Sequence, residues 1–428
     1  MMKIYEKSLN EMKKIVARYT EQTIDFEIEK TVSEIIQNVA QNGDQAVRNY
    51  ERKFDNVNLA DFSIPAFQLD QALDAIDDDL RAALELAKQN ITSFHKQEIE
   101  NSFVDVSTPG IMRGEKITPL ASVGLYVPGG TAAYPSTILM CGIPAKLAGV
   151  KRVVMVTPPQ PAGINPAVLA AARLAGVDEV YQVGGAQAIA ALAYGTETIP
   201  AVDKIMGPGN IFVATAKKQV FGKVAIDMVA GPSEIGILAD ESANAKEIAA
   251  DLLSQAEHDK RARAMLITNS KSLAEAVSEE IDRQLNTLPR QAIARTSIED
   301  RGFIAVMENT AEMFELMNDV APEHLEVQVA NPTQYLGLIK NAGSVFLGRY
   351  ASEPLGDYVA GPNHVLPTGG TARFASPLGV YDFVKRTQFI QFDRQNLKAD
   401  LKAITKLART EGLEAHARAI EARFDKED

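Results

Sequence analysis

Two long stretches in the first hundred residues carry apolar side chains at helical spacing. They cover residues 31–54 and 70–99, and a polar segment over residues 1–22 precedes them. Spacings of three and four residues place these side chains on one face of a helix. The pattern therefore predicts three helices that act as packing elements. The buried stripes are expected at Val32, Ile35, Ile36 and Val39, and at Leu73, Ile76, Leu80, Leu84 and Leu86.

From Ala121 the pattern changes to short apolar strands that alternate with alanine-rich helices. The strands read ASVGLYV, KRVVMV, DEVYQV, DKIM and KVAIDM. Alternation of this kind predicts a parallel sheet with crossover helices. A second series begins near Ile235, with strands IGILAD, AMLIT and FIAVM and helices over 243–258, 272–288 and 311–318. We therefore expect two α/β units, and the sequence leaves open that the first is inserted into a domain built from both flanks.

Each strand of the first series is closed by a turn rich in glycine or proline. The turns are PGG at 128–130, TPP at 157–159, VGG at 183–185, GPG at 207–209 and AGPS at 230–233. Beyond the carboxyl ends of parallel strands, backbone amides and helix N-termini can face an anion, so these turns indicate a nucleotide site. The alternative is that glycine and proline simply make short turns. A standard dinucleotide fingerprint is absent, because GPGNIF lacks the last glycine of G-x-G-x-x-G.

The end of the chain has a different texture. From Ser376 onward the pattern predicts no further strand, and residues 396–423 are helical and highly charged. A helix this polar is unsuited to a core and better suited to contact with a partner subunit.

Composition narrows the class of protein. At 428 residues the chain exceeds what one hydrophobic core usually supports, so at least two domains are expected. With 56 acidic and 44 basic side chains the formal net charge is −12, which argues against nucleic-acid binding. The charged N-terminus and the lack of a long apolar stretch predict a soluble, cytoplasmic protein. The single cysteine, Cys141, lies in an apolar stretch and is expected to be a buried, inert thiol.

Histidine is rare and unevenly placed, which indicates one metal and acid/base site. Gln255 and His258 stand three apart near the end of a predicted helix, so both can meet one ion. The alternative is a polar helix end at which His258 favours the helix dipole. Asp357, on a glycine-flanked loop, and His416, on the terminal helix, add an oxygen and a nitrogen donor suited to zinc, manganese or cobalt. Four of the five histidines lie in the C-terminal half, namely His258, His324, His364 and His416.

Glu323 and His324 follow Pro322 in APEHLEVQV. Adjacent residues of an extended segment point to opposite faces, so both serve one site only if the chain turns there, as proline permits. Such a pair offers a base and a carboxylate that activates water. The competing interpretation is a turn into a strand with solvated polar side chains.

Long strings in this chain resemble histidinol dehydrogenases essentially from end to end. They are GLYVPGGTAAYPST, VGGAQAIAALAYGT, GPGNIFVATAKKQV, DMVAGPSE, SQAEHD, APEHLE, GPNHVLPTGGTARF and EGLEAHARAI. The resemblance implies oxidation of L-histidinol to L-histidine through a bound aldehyde, with two NAD+ consumed and one zinc ion at each active site.

The resemblance also implies roles for individual residues. Glu323 and His324 would be the catalytic acid/base pair. The implied zinc ligands are Gln255, His258, Asp357 and His416. The implied substrate contacts are these four residues with Ser233, His324, His364 and Glu411. The implied NAD contacts are Tyr126, Gln187 and Asn210. If Glu411 and His416 share a helix, they lie about 140° apart around its axis and must flank a common ligand.

The fold implied by the resemblance is α/β, with two incomplete Rossmann-like domains that contain parallel sheets, plus small helical terminal domains. On this chain we expect an N-terminal helical segment over 1–22 and an inserted Rossmann-like NAD domain over 126–234. Residues 23–125 and 235–378 would form a discontinuous α/β domain that carries most metal and catalytic residues, and residues 379–428 a helical dimer interface. The implied assembly is a homodimer with shared active sites.

Three other functions stay open on the residues alone. The nearest is another zinc- and NAD-dependent dehydrogenase acting on a different small polyol or amino alcohol. A metallohydrolase could use the same histidine, carboxylate and amide donors to activate water. A purely structural or metal-storage protein is the least favoured of the three, because it has no use for a Glu-His pair beside the ligands.

Overall fold

The computed structural model of the protein describes residues 2–19, 25–129 and 134–424. It contains two compact units. The first unit is Met1–Glu98 with Leu120–Phe383, and the second is Ile99–Pro119 with Val384–Asp428. The third residue of the PGG turn, Gly130, and both ends of the chain lie outside the described residues, so those parts of the predictions are left as they stand.

The strands and helices follow in chain order. The strands are β1 (Lys3–Glu6), β2 (Ser63–Ile64), β3 (Phe103–Asp105), β4 (Ile111–Pro119), β5 (Ser122–Tyr126), β6 (Arg152–Thr157), β7 (Glu179–Gln182), β8 (Lys204–Met206), β9 (Ala225–Ile226), β10 (Glu234–Ala239), β11 (Arg263–Thr268), β12 (Phe303–Val306), β13 (His324–Gln328), β14 (Ser344–Leu347) and β15 (Val384–Phe392). The helices are α1 (Leu9–Tyr19), α2 (Phe26–Phe54), α3 (Ala66–Ala75), α4 (Asp78–His95), α5 (Pro135–Ala148), α6 (Pro166–Ala175), α7 (Gly185–Tyr194), α8 (Ile211–Val220), α9 (Ala245–Ala256), α10 (Lys271–Leu285), α11 (Gln291–Arg301), α12 (Thr310–Val320), α13 (Glu353–Tyr358), α14 (Arg394–Thr410) and α15 (Glu414–Glu421).

The first unit contains two six-stranded sheets. One, the β10 sheet, has the order β1-β12-β11-β10-β13-β14, and all its neighbouring strands are parallel. The other, the β5 sheet, has the order β2-β7-β6-β5-β8-β9 and is parallel except for the β2–β7 pair. Parallel strands require crossover connections, which the helices supply.

Each sheet is covered by helices on both faces, because its central strands are apolar on both sides. In the β10 sheet, Ile235 and Ile237 pack with α9, α10 and α11, whereas Leu238 packs with α1 and α12. In the β5 sheet, Val123 and Leu125 pack with α3 to α6, whereas Tyr126 packs with α2, α7 and α8. Both halves are therefore three-layered, with a core on each face of the sheet.

Short polar residues fix where several helices begin. Asp25 caps α2 by accepting hydrogen bonds from the amides of Glu27 and Ile28. Asn210 caps α8 in the same way, from the amides of Phe212 and Val213. Such caps satisfy amides that have no partner within the helix.

The second unit is small. Strands β15, β4 and β3 form an antiparallel sheet in that order, and α14 packs against α15. β15 pairs with β4 from Val384 opposite Pro119 to Phe392 opposite Ile111.

The predicted α/β fold with parallel sheets is confirmed, and strands β5 to β12 lie where the apolar segments indicated them. Several local predictions are wrong. The run predicted over 70–99 is two helices, α3 and α4, and Leu86, expected in its buried stripe, is 48% exposed. Residues 3–6 begin the chain with strand β1, not helix, because they pair with β12 at the edge of the β10 sheet. Strand β15 follows Ser376 where no strand was expected, because its mostly exposed residues show no apolar alternation. The terminal helix is broken into α14 and α15 by Gly412, whose φ is 77°.

The predicted domain borders stay a prediction. Residues of α2 share one buried cluster with the β5 sheet, and so do residues of α3 and α4 on the opposite face. Val365 and Phe383 also pack into the cluster on that opposite face. Within the described part of the chain, no helix is long and apolar enough to cross a lipid bilayer.

Candidate active site

The predicted site residues lie at opposite ends of the strands in the two sheets. In the β5 sheet they follow strands: Tyr126 ends β5, and Asn210 stands between β8 and α8. In the β10 sheet they precede strands: Ser233 comes just before β10, and Glu323 and His324 lie at the start of β13. Residues 227–233 alone connect β9 of one sheet to β10 of the other. The AGPS turn therefore leads directly from the carboxyl end of one sheet to the amino end of the other.

The chain does turn at Glu323 and His324. Helix α12 ends at Ala321, whose φ is 48°, and Pro322 then directs the chain into the sheet. Oε2 of Glu323 accepts a hydrogen bond from the Glu234 amide at 2.9 Å, and Nδ1 of His324 lies 3.1 Å from the Glu234 carbonyl oxygen. A carbonyl oxygen can only accept, so Nδ1 carries the hydrogen and Nε2 is left with a lone pair. That Nε2 is buried and has no hydrogen-bond partner among the described residues.

Glu234 holds both members of this pair. Its side chain is buried and accepts from Arg263 Nη1 at 2.8 Å and from the Gly369 amide at 3.0 Å. Burial raises the pKa of Glu234, and the charge of Arg263 opposes that rise. Glu234 was not among the predicted site residues. It adjoins Ser233 in AGPSE, but its contact with Glu323 spans 89 residues and leaves no local signal.

Asp357 and His364 lie beside His324. Oδ1 of Asp357 is 3.9 Å from His324 Nε2 and 3.7 Å from His364 Nδ1. His364 Nδ1 is also 3.0 Å from the Asp357 carbonyl oxygen, and its Nε2 is 3.1 Å from Thr137 Oγ1 at the start of α5. The segment that follows β5 is therefore joined through His364 to the amino end of the β10 sheet.

Glu353 is a further member of the site that the sequence prediction missed. His324, Glu353 and Asp357 each offer a ligand atom, and these atoms lie within 4.8 Å of one another. Glu353 is buried, and its Oε2 accepts from Ser254 Oγ at 3.1 Å. Asp357 was expected on a loop, whereas it lies on helix α13, four residues after Glu353. On a helix that spacing places two side chains on one face, so recognition of α13 would have indicated the pair.

Gln255 and His258 lie near the end of α9, on the side from which β11 begins. Gln255 is 1% exposed, and its Oε1 has no hydrogen-bond partner within the described ranges. His258 follows in an exposed turn, and it adds to the lowering of the His324 pKa that burial causes. Gln255 offers an amide oxygen and His258 an imidazole nitrogen. Two buried acceptor atoms, Gln255 Oε1 and His324 Nε2, lack partners among the described residues. Donors of these types fit a divalent cation such as zinc.

Burial controls the protonation of the site. It lowers the pKa of His324 to about 4, although the charge of Asp357 opposes the change. Burial also raises the pKa of Glu323 well above its usual range, and the charges of Glu234, Asp357 and Glu353 add to the rise. The pKa of Glu353 is raised to about 8, first by burial and then by Asp357. At neutral pH His324 is therefore a neutral base, next to two carboxyl groups, Glu323 and Glu353, whose pKa values are raised.

Tyr126 and Gln187 lie together at the other sheet. The amide of Gly185 donates to Tyr126 Oη at 3.1 Å, at the start of α7. Glu51 of α2, which the sequence prediction missed, accepts from Gln187 Nε2 at 2.9 Å and from the Gly184 amide at 3.2 Å. Gly184 is required here, because a Cβ at this position would lie 2.7 Å from Pro158 Cγ.

The GPG turn is held from inside the protein. The amide of Gly207 donates to Asp227 Oδ2 at 2.7 Å, and Lys217 Nζ donates to the Gly207 carbonyl oxygen at 2.8 Å. Lys217 also forms a buried ion pair with Asp227. Asn210 lies next to this turn, and its Oδ1 is engaged in capping α8. The amides of Gly184, Gly185 and Gly207 therefore all donate to groups of the protein itself. In a standard fingerprint site, turn amides of this kind would donate to a nucleotide phosphate.

Glu411 and His416 lie in the second unit. Glu411 is the residue after α14, His416 lies on α15, and both side chains are exposed. The expected 140° separation does not apply, because Gly412 divides the segment into two helices.

Comparison with known proteins gives consistent results. A family model described as histidinol dehydrogenase matches residues 18–424. The chain is 67% identical to the histidinol dehydrogenase of Lactiplantibacillus plantarum over 424 residues, covering 99% of each protein. It is 58% identical to that of Listeria monocytogenes, covering 100% of each.

Solved structures agree with this similarity. The histidinol dehydrogenase of Elizabethkingia anophelis has a TM-score of 0.93 to this chain at 37% identity, covering 99% of this chain and 98% of the other. An acetylating aldehyde dehydrogenase from Geobacillus thermoglucosidasius, at a TM-score of 0.50 and 13% identity, covers 90% of this chain and 96% of the other. This second likeness concerns the fold alone.

Proposed function

The chain belongs to the histidinol dehydrogenase family, oxidoreductases of histidine biosynthesis, and from that premise we propose that it oxidises L-histidinol to L-histidine with NAD+, through a bound aldehyde. The observation that carries this proposal is the neutral His324. Its Nδ1 faces the Glu234 carbonyl oxygen, while its buried Nε2 lies 3.9 Å from Asp357. An imidazole fixed in this tautomer is prepared to accept a proton.

His324 acts in the first oxidation. Its Nε2 takes the hydroxyl proton of histidinol as hydride leaves the adjacent carbon, which gives the aldehyde. The hydrogen bond from Nδ1 to Glu234 keeps the ring oriented, and the nearby Asp357 charge favours the imidazolium that forms. Bound NAD+ would accept the hydride, and Tyr126, Gln187 and Asn210 are the residues proposed to hold it.

Gln255, His258, Asp357 and His416 are proposed to hold zinc. Two of the buried acceptor atoms of this region, Gln255 Oε1 and His324 Nε2, lack hydrogen-bond partners in the described part of the chain. When bound, zinc would orient histidinol through its amine and imidazole nitrogens. Ser233, His364 and Glu411 are the further residues proposed to contact the substrate.

Glu323 acts in the second oxidation. The only cysteine, Cys141, is buried, and burial strongly raises the pKa of its thiol, so the aldehyde needs water rather than a thiolate. Glu323 takes a proton from that water as its oxygen adds to the aldehyde carbon, which gives the hydrate. His324, having released its first proton to solvent, takes a hydroxyl proton of the hydrate as hydride leaves the same carbon, and a second NAD+ would accept that hydride. Burial and the neighbouring carboxyl groups raise the pKa of Glu323, and positive charge brought by cation or substrate would lower it and favour the carboxylate that acts as the base.

His416 is proposed to serve a neighbouring subunit of a homodimer. Mixing His258→Ala chains with His416→Ala chains, each inactive alone, is expected to restore part of the activity. The measurement is NADH formation after subunit exchange has been verified. If no activity returns, the whole site belongs to one chain.

Substrate specificity tests the proposed function against its rivals. Initial rates of NADH formation are expected to be highest with L-histidinol among a series of amino alcohols and polyols. Faster turnover of another alcohol would favour the related dehydrogenase. Hydrolysis of esters or amides, with no NADH formed from any alcohol, would favour the metallohydrolase.

A further inference from the structure

Helix α2 carries a carboxyl group into the core beside the β5 sheet. Glu51 is 0% exposed and lies where α2 packs against α7. A buried carboxyl is costly unless its oxygens are satisfied. Oε1 accepts two hydrogen bonds, from the Gly184 amide and from Gln187 Nε2. Oε2 accepts no hydrogen bond from the residues described, and the protonated carboxyl can donate to the side chain of Asp55.

The surroundings favour the neutral form of Glu51. Burial raises its pKa to about 8, and the charge of Asp55, one turn along α2, contributes to the rise. The hydroxyl of Tyr126 faces the same cluster from β5, and burial raises its pKa as well. At neutral pH the Glu51 carboxyl therefore carries a hydrogen, and Oε1 remains available as an acceptor.

The two groups that Glu51 holds belong to the start of α7. Gly184 is the residue just before this helix, and Gln187 lies in its first turn. The intervening Gly185 has a φ of 60° and donates its amide to Tyr126 Oη. Glu51, Tyr126 and Gln187 therefore form one hydrogen-bonded cluster that joins α2, β5 and α7.

We propose that Glu51 is a positioning residue for the nucleotide site, because its Oε1 fixes Gly184 and the Gln187 amide in the arrangement that NAD+ meets. This inference rests on the proposed function, which assigns Tyr126 and Gln187 to NAD+. Without the acceptor, Gln187 loses its hydrogen-bond partner and must be ordered when the cofactor binds. The cost then falls on cofactor binding, not on the chemical step.

Two substitutions with side chains of similar size separate the effect of losing the acceptor oxygen from the effect of changing the side-chain volume. Glu51→Leu removes the acceptor, and Glu51→Gln keeps an oxygen at the same distance along the side chain. We expect Glu51→Leu to raise the KM for NAD+ about tenfold, as loss of one well-made hydrogen bond does. The kcat and the KM for histidinol should stay within about threefold. Glu51→Gln should stay within about threefold of the unsubstituted protein in all three constants.

The control is Glu34→Ala, which removes an exposed carboxylate from the same helix. Direct titration with NAD+ by calorimetry accompanies the kinetics, and thermal unfolding confirms that each variant is folded. Equal NAD+ affinity in Glu51→Leu and the unsubstituted protein overturns the proposal, and so does equal weakening by Leu and Gln. If Glu51→Leu does not fold, Glu51→Asp withdraws the acceptor, and unchanged NAD+ affinity in that variant has the same meaning.

Calorimetry also separates this proposal from the function on which it rests. A protein that binds NAD+ and does not oxidise histidinol contradicts the proposed function, while the Glu51 variants still report on the nucleotide site. A protein that binds no NAD+ at all overturns both.

Discussion

The two sheets of the first unit are built alike and used at opposite ends. Both have six strands and a helical layer on each face. In the β5 sheet the candidate residues follow the strands, as in most open α/β sheets. In the β10 sheet Glu323 and His324 lie where β13 begins. Because residues 227–233 alone connect β9 to β10, the candidate residues of both sheets flank a single connection.

The two ends also differ in how their polar groups are satisfied. At the β5 sheet the turn amides of Gly184 and Gly207 already donate to internal carboxyl groups. At the β10 sheet His324 Nε2 and Gln255 Oε1 are buried without partners in the part of the chain that is described. At the β5 end the turn amides are engaged and one buried acceptor atom, Glu51 Oε2, accepts no hydrogen bond from the described residues, whereas the β10 end has two such atoms. The proposed function assigns cofactor binding to the first end and the chemical step to the second.

The largest expected effect comes from the amino end of the β10 sheet. His324→Asn removes the proposed base and should lower kcat about 1000-fold, within the range of general-base catalysis. Glu308→Ala is the matched control, since Glu308 is exposed just beyond the carboxyl end of β12. It should change kcat less than about twofold, as an exposed residue outside the site. Steady-state NADH formation measures kcat for both variants. A large loss of kcat in Glu308→Ala, with none in His324→Asn, would place the chemical step at the carboxyl end of the β10 sheet instead.

Substitutions that break the contacts around the GPG turn of the β5 sheet should lower the stability of the protein. Lys217→Met leaves the buried Asp227 without its cation, and this should lower the free energy of unfolding by about 3 kcal/mol. Denaturant unfolding measures the loss, and the double variant Lys217→Met/Asp227→Asn should recover part of it. A loss below about 1 kcal/mol, the usual worth of an exposed pair, would show that the pair does not hold the GPG turn.

Glu323→Gln distinguishes the two oxidations. Aldehyde oxidation should slow about 100-fold, because general-base activation of water is lost. Alcohol oxidation should slow less than about tenfold, since His324 is still present. Single-turnover measurements with histidinol and with the aldehyde give the two rates separately. Equal losses in both would reject Glu323 as the residue that activates water.

The effects that are smallest at any single pH step concern the pH dependence of stability, and they have opposite signs at the two ends. The raised pKa of Glu51, about 8, means that its contribution to stability is present below its usual pKa of 4.5 and is lost as the pH rises through 8. The unsubstituted protein should therefore lose stability relative to Glu51→Gln over that range, by at most about 1.4 kcal/mol per pH unit. Denaturant unfolding at several pH values measures the difference, and a constant difference would show that Glu51 is ionised in the folded protein.

The contribution of His324 to stability should depend on pH in the opposite direction. Because the pKa of His324 is lowered from 6.5 to about 4, this contribution is present above pH 6.5 and is lost as the pH falls through 4. Relative to His324→Asn, the unsubstituted protein should lose stability as the pH falls over that range. A loss in the opposite direction would mean that the imidazole is charged when folded.

Sequence patterns predicted the framework well and the contacts poorly. Apolar runs located strands β5 to β12, most of which are buried on both faces. They did not locate β1, β2 or β14, which lie at or near the sheet edges. Strand β15 has mostly exposed residues, so it carried no such signal. Glu51 and Gln187 are 136 residues apart, and nothing in the sequence near either one indicates that they meet. The Glu323-His324 pair was recognisable, but its tautomer depends on the carbonyl of Glu234, which only the fold supplies.

The yield of NADH per molecule of histidinol tests the central claim most directly. With NAD+ in excess and histidinol limiting, the account predicts two NADH for each histidinol and histidine as the product. Chelation should abolish the yield and added zinc should restore it. One NADH per histidinol with release of the aldehyde, or a full yield that survives complete removal of metal, would contradict the account.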